Sequence, residues 1–112
     1  MDCLRYDFDV LQGTTFTRDL QYQIQGEPVD IEGYTARMKV RKSYDLPVEI
    51  ELTTANGKIV ISETNRIDIS LTAAETAALS SGRYLYDLEL VNGDYVERIL
   101  QGIFTVMAEV TK

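Results

Sequence analysis

The sequence predicts an all-β fold: one antiparallel β-sandwich over residues 1–112, of about seven to eight strands, with one short helix near residues 73–79. Three observations predict it. Apolar residues recur at every second position through most of the chain, the period of a strand with one dry face. Clusters of turn-forming Gly, Asn, Asp and Pro interrupt the alternation at roughly 8–12-residue intervals, the spacing of antiparallel sandwiches. A single segment, beginning at Thr72, carries a helix-start signature instead.

The first run sets Leu4, Tyr6, Phe8 and Val10 on one face and Arg5, Asp7 and Asp9 on the other. Gln12-Gly13-Thr14-Thr15 breaks it. Phe16, Leu20, Tyr22 and Ile24 then alternate with Thr17, Asp19, Gln21 and Gln23. Gln25-Gly26-Glu27-Pro28 is a turn, because glycine and proline supply the backbone angles that turns need, and 29–33 follows as a short corner. Tyr34, Ala36, Met38 and Val40 face one way and Thr35, Arg37, Lys39 and Arg41 the other. Val48, Ile50 and Leu52 alternate with Glu49, Glu51 and Thr53. Asn56-Gly57 is a hairpin signal, since both residues tolerate positive φ. Two short strands follow at 58–62 and 66–71, the second with Ile67, Ile69 and Leu71 inward.

Thr72-Ala73-Ala74-Glu75 has the spacing of a capping box, in which the threonine oxygen and the glutamate each satisfy a free amide at a helix start. Ala77, Ala78 and Leu79 continue the helix and Ser81-Gly82 ends it, in the place where a sandwich crosses between sheets. Segment 83–91 returns to strand with Tyr84, Tyr86, Leu88 and Leu90 on one face, and Asn92-Gly93-Asp94 closes a second hairpin. The last strand, 95–106, carries apolar residues on both faces, with Ile99 and Ile103 against Leu100, Phe104 and Val106. Gly102 in its middle marks a bulge or bend.

Composition bounds the function. Eleven basic residues against 18 acidic ones leave a net charge of −7, so nucleic acids and anionic membranes are not expected partners. There is no histidine, which removes histidine triads and histidine metal sites. Apolar residues make up 45% of the chain and charged ones 26%, as in an ordinary globular domain. The start of the chain lacks the pattern of a signal peptide, and no apolar run has the length of a membrane span. Cys3 is the single cysteine and reads as an inert thiol, so no intrachain disulfide forms and folding suits a reducing cytoplasm.

Four groups invite a chemical reading, and each has a plainer one. Asp87 and Glu89 share a strand face, as a glycosidase pair or cation site would, or as a solvated face paired with Arg98 across the hairpin. Asp30 and Glu32 lack a calcium-loop pattern, and Asp30 reads as a turn former. No metal or cofactor is expected. Tyr22, Tyr34, Tyr84 and Tyr86 would stack sugars if exposed and coplanar, and are core residues otherwise. Arg37, Lys39 and Arg41 form a basic stripe in an acidic chain, with Lys42 next to it. The stripe docks an acidic partner, balances Glu49 and Glu51 on the following strand, or protects a sheet edge.

Three stretches carry a family resemblance. Tyr6-Asp7-Phe8, followed by Gln12-Gly13-Thr14-Thr15-Phe16, resembles the opening of many small bacteriophage and prophage structural proteins. The stretch from Gly26-Glu27-Pro28-Val29-Asp30 through Gly33-Tyr34-Thr35-Ala36-Arg37-Met38-Lys39-Val40-Arg41 is similar to one in phage baseplate upper protein N-terminal domains and their tail-associated relatives. Gly82-Arg83-Tyr84-Leu85-Tyr86-Asp87-Leu88 resembles a further strand of the same proteins. The pieces stand in the same order over most of the chain. The resemblance implies an immunoglobulin-like sandwich that assembles into a virion in many symmetry-related copies and carries no catalytic motif. The sequence runs to Lys112 without a receptor-binding extension, so the expectation is an accessory protein of the tail or baseplate, or a capsid decoration protein. Its expected partners are other virion proteins, including the major capsid protein, after synthesis in the host cytoplasm. The alternative is a carbohydrate-binding sandwich aiding adsorption.

Overall fold

Alternation resolves into two facing sheets. The structure is a computed structural model and describes residues 4–109, so Cys3 lies outside the described residues. In chain order the strands are β1 (Leu4–Arg5), β2 (Phe8–Leu11), β3 (Phe16–Gln21), β4 (Gln23–Ile24), β5 (Glu27–Pro28), β6 (Thr35–Arg41), β7 (Val48–Thr53), β8 (Ile59–Ser62) and β9 (Arg66–Leu71). Helix α1 (Ala73–Ala77) then leads to β10 (Gly82–Asn92) and β11 (Tyr95–Met107). The larger sheet runs β1-β11-β10-β6-β7, with β2 also on β11, and the smaller runs β3-β9-β8. The small β4–β5 ribbon lies within the connection from β3 to β6.

The chain changes sheets between β2 and β3, between β3 and β6, between β7 and β8, and through α1 between β9 and β10. In immunoglobulin lettering β11, β10, β6 and β7 are strands G, F, C and C′, facing B, E and D in β3, β9 and β8. Tyr84 supports the same assignment. It stands near the start of β10, and its hydroxyl donates to the Ser80 carbonyl at 2.7 Å, the tyrosine corner of such sandwiches. The fold is therefore an immunoglobulin-like β-sandwich with one short helix.

Antibody domains place a disulfide cysteine two residues beyond the corner tyrosine. Here that position is Tyr86, and aromatic packing bridges the sheets instead. Phe8 lies 5.0 Å from Tyr86 and 5.8 Å from Phe16, and Phe16 lies 6.0 Å from Phe104. Offset and edge-to-face rings of this kind add to the burial of their area. The expected inward rows form the core: Ala36, Met38 and Val40 on β6, Ile67, Ile69 and Leu71 on β9, and Tyr84, Tyr86, Leu88 and Leu90 on β10 are all buried.

Several local readings need correction. The pairing is antiparallel except that β1 and β2 lie parallel to β11. These strands are joined through the whole domain, so no tight hairpin constrains their direction. Leu4 and Tyr6 are exposed, because the N-terminal edge breaks between β1 and β2. Asn56-Gly57 does not close a hairpin; it carries the chain from β7 in one sheet to β8 in the other. The Asn56 carboxamide holds that crossing, accepting from the Thr53 and Lys58 amides and donating to the Glu51 carbonyl. The capping box forms as expected, but the helix ends at Ala77, with Ala78 as its C-cap.

The bulge of β11 lies at Ile99, not Gly102. Leu88 pairs with Leu100 and Glu89 with Arg98, so Ile99 is the extra residue. Ile99 and Leu100 are both buried in consequence, which accounts for the mixed faces of this strand. Gly102 stays in register opposite Tyr86. A Cβ there would collide with the Tyr6 carbonyl and the Asp7 carboxylate, which accepts from the Ile103 amide at 2.9 Å. The glycine permits that close approach of the N-terminal segment.

Candidate functional site

The three cations of β6 lie on the outer face of the larger sheet, because Ala36, Met38 and Val40 take the inner face. Each already has a partner within the chain. Arg37 Nε is 2.8 Å from Glu89 Oε1 on β10. Lys39 Nζ is 3.9 Å from Glu51 Oε2 on β7. Arg41 Nη1 donates to the Leu46 carbonyl at 3.1 Å. The network extends to β11, where Arg98 lies 3.4 Å from Asp87 and 3.9 Å from Glu89. Rows of alternating sign therefore cross four strands, with Glu51, Lys39, Arg37, Glu89, Asp87 and Arg98 as neighbours. Sequence reasoning anticipated the Glu51 and Arg98 pairs but missed Glu89 as the partner of Arg37.

Asp87 and Glu89 thus serve as the acidic half of a cross-strand ladder. Asp30 is a turn former: its carboxylate accepts from the Glu32 amide at 2.9 Å. Among the described residues, no group of three or more Cys, Asp and Glu side chains is placed to hold a metal ion.

The tyrosines divide by depth. Tyr84 and Tyr86 are core, and the Tyr86 hydroxyl donates to the Tyr6 carbonyl. Tyr22 is buried with its hydroxyl on Glu97 Oε1 at 2.5 Å, while exposed Tyr95 donates to Glu97 Oε2 at 3.0 Å. Burial first, and then the Glu97 carboxylate, push the Tyr22 phenol far above its ordinary pKa. Tyr34 meets Tyr95 edge-on, with rings 6.4 Å apart at 88°. This perpendicular pair is not the flat platform on which a sugar ring stacks, and Tyr44, 81% exposed, stands apart from it in sequence on the β6–β7 connection.

An apolar cleft opens between the sheets beside Leu4, Tyr6, Leu20, Ile67 and Ile99. Its volume of about 200 Å³ lies below the roughly 300 Å³ at which small-molecule sites begin.

The Gln12-Gly13-Thr14 stretch clasps the helix crossing. Gln12 donates to the Leu79 carbonyl at 2.8 Å, and buried Thr76 accepts from the Gly13 amide and donates to the Thr14 carbonyl. Sequence reasoning read this stretch as a break between strands and as part of the family resemblance, not as a clasp. A glutamine and a glycine ahead of an aromatic strand start were the signal available.

No family model matches the sequence, and no curated protein matches it. Among solved structures, the chain is similar to the extracellular domain of the voltage-gated sodium channel beta4 subunit, at 13% identity and a TM-score of 0.47 over 95% of this chain and 93% of that one. It is also similar to murine CRIg, at 10% identity and a TM-score of 0.45 over 92% of each chain. Likeness at this level carries nothing about activity or partners.

Proposed function

We propose that this chain is a non-enzymatic structural protein of a bacteriophage virion, used at a tail or baseplate contact or bound to the capsid exterior as a decoration protein. The observation that carries the reading is the ordered resemblance of three stretches, which begin at Tyr6, Gly26 and Gly82, to phage structural proteins. The residues of those stretches take framework positions: the Gln12-Gly13-Thr14 clasp, the Asp30 turn and the Tyr84 corner. The likeness is thus one of architecture, which suits a protein that works by assembly.

Other virion proteins are its partners in this reading, and Arg37, Lys39 and Arg41 are its docking residues. Two of these cations hold carboxylates in the free chain, so an acidic partner exchanges one ion pair for another and gains mainly in steering and register. The test is quantitative mass spectrometry of purified particles from the phage or prophage that encodes the chain. A fixed, symmetric copy number per particle is expected. Absence of the protein from particles refutes the reading.

A further inference from the structure

The four edges of the two facing sheets differ in how they are defended. Unpaired strand edges invite pairing with another chain, and charged side chains are the usual protection. Strand β7 carries Glu49 and Glu51, β3 carries Arg18 and Asp19, and the β1–β2 edge carries Arg5 and Asp9. Strand β8, the outer strand of the smaller sheet, reads Ile59-Val60-Ile61-Ser62 and carries no charge. Val60 is 50% exposed on its outer face, while Ile59 is buried.

The hydrogen-bond pattern shows which backbone groups the free side offers. The Ser70 amide donates to the Lys58 carbonyl at 2.9 Å, and the register continues with Val60 opposite Asp68 and Ser62 opposite Arg66. Bonded and non-bonded pairs alternate along antiparallel strands. Lys58, Val60 and Ser62 therefore point their amides and carbonyls at β9. Ile59 and Ile61 point theirs away from it, to the side where no strand of the described chain pairs.

We infer that β8 is a self-pairing edge, and that its occupant is β8 of a second copy, antiparallel about a two-fold axis through Val60. The segment is self-complementary in that register. Ile59 and Ile61 of one copy exchange amide–carbonyl bonds with Ile61 and Ile59 of the other, so all four free groups of each copy are met. Val60 faces Val60 of the second copy in a non-hydrogen-bonded pair, the closer kind, with Cα atoms about 4.5 Å apart. That contact covers the exposed side chain at the centre of the edge. Lys58, paired with Glu75 of its own copy, stands opposite the uncharged Ser62 of the second copy, so no like charges meet across the seam. The pairing is isologous and closes at a dimer, joining two three-stranded sheets into one. It stands on this edge alone, independent of any virion role.

Sedimentation equilibrium of the full chain from about 10 µM to about 1 mM tests it, a range suited to an interface below roughly 1,200 Å². A concentration-dependent dimer is expected. Val60→Lys places like charges directly opposite each other and raises the dissociation constant roughly tenfold or more, with the melting temperature unchanged. Amide exchange gives a second readout that needs no variant. The Ile59 and Ile61 amides gain protection as concentration rises, while the Val60 amide is protected throughout. A monomer across the whole range, a dimer indifferent to Val60→Lys, or Ile59 and Ile61 amides whose exchange ignores concentration would each overturn the inference.

Discussion

Leu88→Ala tests the core of the sandwich most directly. Leu88 is fully buried at the centre of β10, opposite Met38 on β6 and Leu100 on β11, which are buried too. Truncation removes three carbons, worth about 2.4 kcal/mol at roughly 0.8 kcal/mol per buried methylene. Strands on both sides hold their places through their own ladders, so the site closes only in part. A residual void of about 50 Å³ adds about 1.2 kcal/mol at roughly 24 cal/mol per Å³. The expected loss is thus about 3–4 kcal/mol, or a melting temperature lower by roughly 12–20 °C. Urea unfolding followed by far-UV circular dichroism measures it, with the slope against denaturant unchanged. Leu85→Ala is the comparator: half-buried on the outer face of the same strand, it costs less. A Leu88 loss below about 0.5 kcal/mol would refute the assigned face and register of β10.

Three further perturbations follow from particular contacts. Gly102→Ala drives a methyl into the Tyr6 carbonyl and the Asp7 carboxylate; displacement of the Tyr6-Asp7 segment is expected to cost about 1–3 kcal/mol, read by the same unfolding assay. The Lys58 ammonium, 2.6 Å away, and the Thr72 amide hold the Glu75 carboxyl below its usual range. Its folded pKa is depressed, so its stabilisation is present above the ordinary glutamate range and is lost as pH falls through the folded value. Glu75→Gln should flatten the acid limb of melting temperature against pH, and an unchanged limb counts against the Lys58–Glu75 pair. Changing Arg37, Lys39 and Arg41 together to Gln should keep the fold and lower copies per particle, most visibly at raised salt; unchanged occupancy at every ionic strength removes the stripe as the docking surface.

The basic stripe was legible as a face, but its partners were not. Alternation along β6 places Arg37, Lys39 and Arg41 together because side-chain direction in a strand depends only on residue parity. Which carboxylate answers Arg37 depends on β10 lying beside β6, a pairing of residues 52 apart in sequence. The same distinction explains the tyrosines. Depth followed from parity for Tyr84 and Tyr86, whereas the Glu97 bridge between Tyr22 and Tyr95 required β3 and β11 to converge at one end of the sandwich.

By itself the sequence determined what acts within a few residues: the period of each strand, the inward rows of β6, β9 and β10, the capping box from Thr72 to Glu75, and the Asp30 turn. Such signals need only neighbours three or four positions away. Tertiary structure alone decided which strands meet. Asn56-Gly57 specifies a chain reversal, and the reversal serves a hairpin or a crossing equally well. The burial of Ile59 against the core sends β8 to the other sheet. Gly102 likewise signals only that a side chain is unwelcome. The backbone that excludes it comes from Tyr6, at the far end of the chain, brought there by the parallel packing of the first strands on the last.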